Sequence, residues 1–272
     1  MLKQLLIAAL AAVATLAAAG FYIQASVNGN DHLECTAQVN LAVINLCFGS
    51  QQLREGYWFY CENETPLLGF PAQRCGPMDM THSVPAIVAV GDAGSTAAQT
   101  GEAACHYFAH VGWECLALDS MPAANAPMDD TLARVNAAVD YLKRNESVDS
   151  SRVMLWGGGE GALAVITAAS LRGDVYAVAA TSPPLPGSTD AGRSRLAAIE
   201  GMLKTNLVYV FGEHDAETDQ AAADALVSAA RANGKQAESI AVPNAGHAVC
   251  CGDGRPLELE FDWLNGIMGK QE

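Results

Sequence analysis

Basic residues are scarce in this chain, and they form no cluster. Its 272 residues include 15 Lys and Arg against 30 Asp and Glu, so the formal net charge at pH 7 is −15. Proteins that bind the phosphate backbone of nucleic acids depend on clustered Lys and Arg side chains. The composition therefore excludes nucleic acid as a partner and predicts an acidic, soluble surface.

Sequence motifs for cofactors are also missing. The chain has no P-loop Lys, no Gly-x-Gly-x-x-Gly spacing and no cysteine spacing typical of zinc sites. We therefore predict neither a metal ion nor an organic cofactor. No internal repeat occurs, and 50% of the residues are hydrophobic while only 17% are charged. This composition predicts a single domain with a sizeable core.

The first residues combine a basic start with an apolar run. Lys3 precedes a run from Leu5 to Ala19 that ends in small residues. This pattern is typical of a secretory signal peptide and predicts one at residues 1–19, with export to the periplasm or the medium. Because the apolar character continues to about Ala25, an uncleaved membrane anchor is the alternative, and it is the only membrane contact that the sequence predicts.

Eight cysteines form an even set, which in an exported chain favours disulfides over free thiols. The candidates are Cys35, Cys47, Cys61, Cys75, Cys105, Cys115, Cys250 and Cys251. Their pairing stays open. Four of them fall within residues 20–83, and we expect these to staple that segment to itself where it packs on the main domain, residues 84–272.

From residue 86 onward, short apolar runs alternate with helix-like segments, which is typical of a parallel sheet covered by helices. Strands are predicted at residues 86–90, 114–118, 153–156, 175–179, 207–211 and 239–242. Helices are predicted at residues 131–144, 161–171 and 218–233 and around residues 257–268. An edge strand is expected near residues 57–60. Residues 181–206 leave room for one helix and no large cap domain.

Three loops that follow predicted strands contain residues with catalytic chemistry. The first, from Gly157 to Gly161, has the strand, tight turn and helix start of a nucleophile elbow, with Gly159 at its centre. The second presents Asp215, which could orient a histidine, and the third presents His247, which could act as a general base. Open α/β sheets build their sites at the C-terminal ends of parallel strands, so these loops are expected to meet.

In this order the three loops resemble the α/β-hydrolase superfamily, nearest to its dienelactone-hydrolase-like esterases, over about residues 84–270. The resemblance implies an α/β-hydrolase fold: a mostly parallel central sheet with helices on both faces and no large cap domain. It also implies that Asp215 and His247 are the acid and the base of a catalytic triad. An ester-like small molecule is then the expected ligand.

By the same resemblance, the loop with Gly91, Asp92 and Ala93 takes the oxyanion-hole position, next to Glu160 at the start of the elbow helix. There a backbone N–H would hold the negative charge that develops during acyl transfer. Asp92 is an unfavourable neighbour for such a charge, because a carboxylate repels an oxyanion.

The nucleophile position itself holds Gly159, which has no side chain that could attack a substrate. Loss of a triad serine lowers turnover on the order of a millionfold. Among the alternatives, the side chain of Glu160 is expected to point away from the site, and Ser95 is expected to cap the following helix. Cys250 and Cys251 are expected to form disulfides, which would leave no thiol to attack.

Three functional hypotheses remain open. The first is an enzyme that keeps the Asp215 and His247 dyad and uses His247 as a base without a covalent intermediate. The second is a non-catalytic ligand-binding or scaffold protein with a degenerate hydrolase pocket. The third is an ordinary serine esterase in which Gly159 stands in place of a native serine. The sequence does not indicate the substrate or the oligomeric state.

Overall fold

The computed structural model describes residues 22–25, 35–41, 44–49, 59–63, 68–78, 81–120, 128–184, 190–218, 220–247 and 255–269. The predicted signal peptide and the pair Cys250 and Cys251 lie outside these residues. None of the described helices is both long and apolar enough to cross a bilayer.

The described strands form one twisted array of eleven, in the order β1-β2-β3-β4-β5-β7-β6-β8-β9-β10-β11. In this order, neighbouring strands from β7 through β6, β8, β9 and β10 to β11 are parallel. Neighbouring strands from β1 to β5 are antiparallel, and β5 also pairs with β7 in antiparallel fashion. The strands are β1 (Tyr22–Ala25), β2 (Cys35–Leu41), β3 (Ile44–Gly49), β4 (Phe59–Asn63), β5 (Ala72–Pro77), β6 (Val84–Val90), β7 (Glu114–Leu118), β8 (Val148–Gly158), β9 (Ala177–Thr181), β10 (Asn206–Gly212) and β11 (Ala237–Val242).

Six helices accompany the sheet in the described part of the chain. Helix α1 spans residues 97–110 and contains a π-helical turn at Gly101–Cys105 between two α-helical pieces, Ala97–Thr100 and His106–His110. The others are α2 (Met128–Lys143), α3 (Glu160–Leu171), α4 (Asp190–Met202), α5 (Gln220–Ala232) and α6 (Arg255–Met268).

The helices cover the sheet on both faces. One core cluster packs α2, α3, α4 and α5 against side chains such as Val88 and Leu155, and the other packs α1 and α6 against Ile87 and Met154. Alternate residues of one strand feed the two clusters, as the period of a β-strand requires. The continuous apolar runs of the predicted strands arise because both faces are buried.

The predicted fold class is confirmed. All six predicted strands are present, and the predicted helices correspond to α2, α3, α5 and α6 with ends displaced by a few residues. The segment between β9 and β10 contains α4, and its described residues form no cap domain. Strands β4 and β5, from the Cys-containing segment, extend the sheet beyond β7. The boundaries at residues 19 and 83 stay predictions.

Two local predictions were wrong. The strand near residues 57–60 is β4, which lies between β3 and β5 and is therefore not at an edge of the described sheet. Helix α1 is capped by Thr96 and not by Ser95: the Thr96 hydroxyl accepts from the Gln99 N–H, and the Gln99 side chain accepts from the Thr96 N–H at 2.9 Å. The Ser95 N–H instead donates to the Asp92 carbonyl at 3.0 Å and closes the preceding turn.

Two disulfides confirm four of the cysteine predictions. Cys61–Cys75 joins β4 to β5, and Cys105–Cys115 joins α1 to β7. All four cysteines are buried. Cys75 faces Cys61 across one strand pair and Cys115 across the next, so three of the four lie in one row of the sheet.

A buried ion pair adds to the attachment of these strands. Arg74 on β5 donates from Nε to Glu114 on β7 at 2.5 Å, and the Tyr60 hydroxyl on β4 donates to the same carboxylate at 3.1 Å. Glu114 is only 2% exposed, so the pair is shielded from solvent. Arg74 also lies 3.7 Å from a carboxylate oxygen of Glu62 on β4, so these charges join β4, β5 and β7.

We expect the double variant Cys61→Ala and Cys75→Ala to fold and to lose about 2 to 4 kcal/mol of unfolding free energy, because the disulfide restricts the unfolded chain. Denaturant unfolding followed by tryptophan fluorescence measures this loss. The oxidised natural chain, in which both described disulfides are intact, is the reference. Equal stability of the variant and the oxidised natural chain would contradict a structural role for this bond.

Candidate functional site

The turn between β8 and α3 holds Gly159 in a conformation that other residues rarely adopt. Its φ is 56° and its ψ is −128°. The Gly159 N–H donates to the carbonyl of Thr181 at the end of β9, at 2.9 Å. The turn is thus fixed to the neighbouring strand and exposes the start of α3.

Close backbone contacts explain the flanking glycines. A Cβ atom on Gly157 would lie 2.6 Å from backbone atoms of Ala162, and one on Gly161 would lie within 2.8 Å of the backbone of Val90 and Gly91. Any larger residue would push α3 away from β6 and β8. The two glycines therefore allow the turn to pack tightly against the end of β6.

The carboxylate of Asp92 occupies the space above Gly159. Its Oδ1 accepts a hydrogen bond from the Glu160 N–H at 3.0 Å. A Cβ atom on Gly159 would lie within 3.0 Å of the Oδ1, Cγ and Cβ atoms of Asp92. A side chain at position 159 and the Asp92 carboxylate in its present rotamer therefore compete for the same space.

The loop that carries Asp92 is held in place by its own hydrogen bonds. The Asp92 carbonyl accepts from the Ser120 hydroxyl at 2.6 Å and from the Ser95 N–H at 3.0 Å. The first N–H groups of a helix favour a negative charge, so the start of α3 stabilises the carboxylate at this position. Gly91 and Ala93 flank Asp92 at the end of β6, and the side chain of Glu160 is exposed; the oxyanion-hole role of this loop stays a prediction.

Asp215 and His247 lie together after β10 and β11. The Nδ1 atom of His247 is 3.2 Å from both Oδ1 and Oδ2 of Asp215. The side chain of Asp215 is fully buried, whereas that of His247 is 28% exposed. The other ring nitrogen, Nε2, is 3.7 Å from a carboxylate oxygen of Glu217. One histidine nitrogen is thus oriented by the buried Asp215, and the other lies near the exposed carboxylate of Glu217.

Hydrogen bonds keep the buried Asp215 ionised. Burial raises the pKa of its carboxyl group, but donors in the loop outweigh burial, and the net pKa is below the ordinary value. The Glu217 N–H donates at 2.9 Å and the Thr218 hydroxyl at 3.0 Å. An ionised Asp215 is the state that can orient and charge-balance a histidine.

A second buried acid, Glu260 of α6, lies behind the elbow turn. The indole Nε1 of Trp156 donates to its Oε2 at 2.7 Å, and the Thr181 hydroxyl donates to its Oε1 at 2.5 Å. Trp156 precedes Gly159 by three residues in β8, and the Thr181 carbonyl accepts the Gly159 N–H. Glu260 therefore connects α6 to both strands that fix the elbow.

Burial raises the pKa of Glu260 to about 8, although its two hydrogen bonds lower it. The group is therefore mostly protonated at neutral pH, as expected for a carboxyl group without a cationic partner. Sequence reasoning missed Glu260 and its partners. The available signal was an acidic residue within the apolar stripe of the last helix, beside Leu257, Phe261 and Leu264.

A cavity of about 310 Å³ opens beside Asp92. Its wall consists of residues 91–95, Gln99, Thr100 and Ala103 of α1, and Trp156. The Thr100 hydroxyl oxygen is buried and has no hydrogen-bond partner among the described residues. The volume is at the lower end of the range for small-molecule sites.

One group of described residues meets the distance criterion for a metal site. The ligand atoms of Cys61, Cys75 and His106 lie within 4.8 Å of one another. The two cysteines are joined to each other by a disulfide, so neither offers a thiolate to a metal ion.

Comparison with known proteins identifies a family. The model of the dienelactone hydrolase family matches residues 84–259, about two thirds of the chain. A comparison with curated protein sequences finds no significant match.

Solved structures share the fold at low sequence identity. A putative dienelactone hydrolase from Klebsiella pneumoniae has a TM-score of 0.64 at 16% identity, with 78% of this chain and 99% of that chain covered. A thermophilic esterase from Thermogutta terrifontis has a TM-score of 0.62 at 18% identity, with coverage of 78% and 95%. A carbohydrate esterase from gut microbiota has a TM-score of 0.60 at 14% identity, with coverage of 72% and 90%.

The raised pKa of Glu260 predicts a pH-dependent stability. Stability is greatest below the unfolded pKa of 4.5 and falls as the pH rises through about 8, because the folded state retains a proton that the unfolded state releases. Glu260→Gln has no carboxyl group to titrate, so its free energy of unfolding should fall less steeply with pH, by up to about 1 kcal/mol per pH unit. Thermal unfolding of both proteins between pH 5 and pH 9 measures it. Parallel curves would show that Glu260 does not retain its proton.

Proposed function

Because the chain belongs to the dienelactone hydrolase family, we propose that it keeps the ligand site of an ester hydrolase but has lost the covalent step. In this proposal the protein binds a small ligand beside the elbow and does not form an acyl-enzyme intermediate. The position of the Asp92 carboxylate over Gly159 is the observation that carries the proposal.

Two requirements of acyl transfer are unmet at the turn. Gly159 offers no attacking atom, and the Glu160 N–H that would hold an oxyanion already donates to Asp92. Two like charges 4 Å apart repel by about 4 kcal/mol near a protein surface. A penalty of that size slows a reaction about a thousandfold. Covalent ester hydrolysis is thus disfavoured even if another group supplied the nucleophile.

The same contact bears on whether Gly159 stands in for a native serine. A serine there would place its Cβ within 3.0 Å of three Asp92 side-chain atoms, so the Asp92 carboxylate would have to turn away from the start of α3. The Asp92 main-chain carbonyl is held by Ser95 and Ser120, and its carboxylate is held by the Glu160 N–H. The mutual fit of Gly159 and Asp92 supports glycine as the residue for which this site is built.

Direct activation of water by the dyad is a second candidate function. It is favoured by the Asp215 and His247 pairing at 3.2 Å, with Asp215 ionised. A neutral imidazole oriented in this way can accept a proton from water without a covalent intermediate. The two candidates differ in one measurable property, which is ester turnover by the natural chain.

We predict that the natural chain does not hydrolyse short-chain aryl esters, and that Gly159→Ser alone gains little, because its side chain meets Asp92. The double variant Asp92→Ala and Gly159→Ser should gain turnover, because it supplies a nucleophile and frees the Glu160 N–H. Release of the aryl alcohol, followed by absorbance, measures the rates.

The matched control is the same double variant with His247→Ala added. Its turnover should fall back by about a thousandfold if His247 is the base. Turnover by the natural chain that disappears with His247→Ala would contradict the proposal and favour the second candidate. Lack of turnover in a folded double variant would show that the dyad does not reach the elbow.

We also propose that the protein is exported. Support comes from the apolar run at residues 1–19 and from two disulfides within the described residues, since such bonds persist in oxidising compartments. The family match begins at residue 84, well after this run.

Expression of the full chain in a bacterial host tests export. We expect a protein in the periplasm or medium with an N-terminus near residue 20, as determined by intact mass. Full-length protein in the membrane fraction would favour the N-terminal anchor. Full-length protein in the cytoplasm with reduced cysteines would contradict export.

A further inference from the structure

We propose that the cavity beside Asp92 binds a small organic cation, an alkylammonium group, with the Asp92 carboxylate as its counter-ion. This inference rests on the proposed function, because it assigns a ligand to the Asp92 carboxylate beside the elbow; the wall of the cavity contains neither Gly159 nor the dyad. Three features of the molecule support it: the charge at this edge of the sheet, the free oxygen of Asp92 and the wall of the cavity.

The charge at this edge of the sheet is one-sided. The described residues of the loops that follow the six parallel strands are 91–96, 119–120, 159, 182–184, 213–218 and 243–247, and they contain no Lys or Arg. Their acidic residues are Asp92, Asp119, Glu213, Asp215 and Glu217. A cleft lined by one sign of charge concentrates ligands of the opposite sign. An anionic ligand would be repelled here.

Basic side chains form ion pairs at other positions. Arg74 pairs with the buried Glu114, Arg152 with Asp149, and Arg172 with Asp174. Their partners lie outside the six loops. Within the described residues, no Lys or Arg lines the cavity. Its carboxylate therefore has no cationic side chain as a partner.

Asp92 has one oxygen engaged and one available. Oδ1 accepts from the Glu160 N–H, and Oδ2 has no hydrogen bond from any described residue. A carboxylate fixed through one oxygen is preorganised, so little conformational freedom is lost when the other oxygen meets a ligand. Because the Asp92 carboxylate is held at the cavity wall, a cation within the cavity would lie next to it.

The remaining wall suits an ammonium group with methyl or methylene substituents. Trp156 contributes an aromatic residue, and Trp is the residue that best attracts a cation to its ring face. The nearby Thr100 hydroxyl is buried without a partner and lies close to Gly91, also in the wall. A ligand that carries a hydroxyl group in addition to the ammonium group could satisfy it. A volume of about 310 Å³ limits the ligand to a small molecule.

Choline and its neutral isostere 3,3-dimethylbutan-1-ol provide the test, because the two have nearly the same shape and differ in charge. Titration calorimetry with the natural chain, purified as the host produces it, should show binding of choline. The isostere should bind about tenfold more weakly or not at all, and acetate should not bind.

Two matched variants locate the site. Asp92→Asn keeps the size of the side chain and removes its charge, and it should weaken choline binding about tenfold or more. Glu102→Gln removes an equal charge from an exposed residue of α1, next to Ala103 in the wall, and should change binding less than twofold. Melting curves of both variants confirm that they fold.

Equal binding of choline and the isostere, or equal effects of the two variants, would overturn the cation site. Absence of choline binding to the folded natural chain would also overturn it. Ester turnover is measured on the same preparations. Turnover that depends on His247 defeats the proposed function, whereas absent choline binding without turnover defeats only the cation site.

Discussion

The hydrogen bond from the Glu160 N–H to Asp92 is the contact on which the chemistry of this site depends. It exists because β6 and β8 are neighbours, so the loop after one strand reaches the helix start after the other. The strained turn at Gly159 exposes that helix start, and the glycine leaves room for the carboxylate. The strand, turn and helix of the elbow are thus present, and the first N–H of α3 donates to a carboxylate of the same chain.

The dyad and the elbow have separate supports. Asp215 owes its ionised state to donors from its own loop, and His247 is oriented by it. The elbow is fixed by the Thr181 carbonyl, and the Thr181 hydroxyl in turn donates to Glu260. Glu260 belongs to α6, which packs on the face of the sheet opposite to α3. Since neither support passes through Asp92, the side chain above the turn could change while the rest of the site kept its geometry.

Sequence patterns predict the parallel half of the sheet well, because buried strands between helices leave continuous apolar runs. They also place Asp215, His247 and Gly159 at strand ends. The role of Asp92 could be suspected only as a poor neighbour for an oxyanion. Its contact with Glu160 joins residues 68 positions apart and depends on a loop conformation. Glu260 was missed because a buried acid is identified by its partners, Trp156 and Thr181, which lie far away in sequence.

The row of cysteines in the sheet has a consequence for biosynthesis. Cys75 faces Cys61 on one side and Cys115 on the other, and neighbouring strands bring facing residues within the range that a disulfide can bridge. Strand pairing alone therefore does not select the native partner. The choice is made when α1 docks and brings Cys105 to Cys115. We therefore expect formation of the native pairs to require either the packing of that helix before oxidation or thiol–disulfide exchange after it.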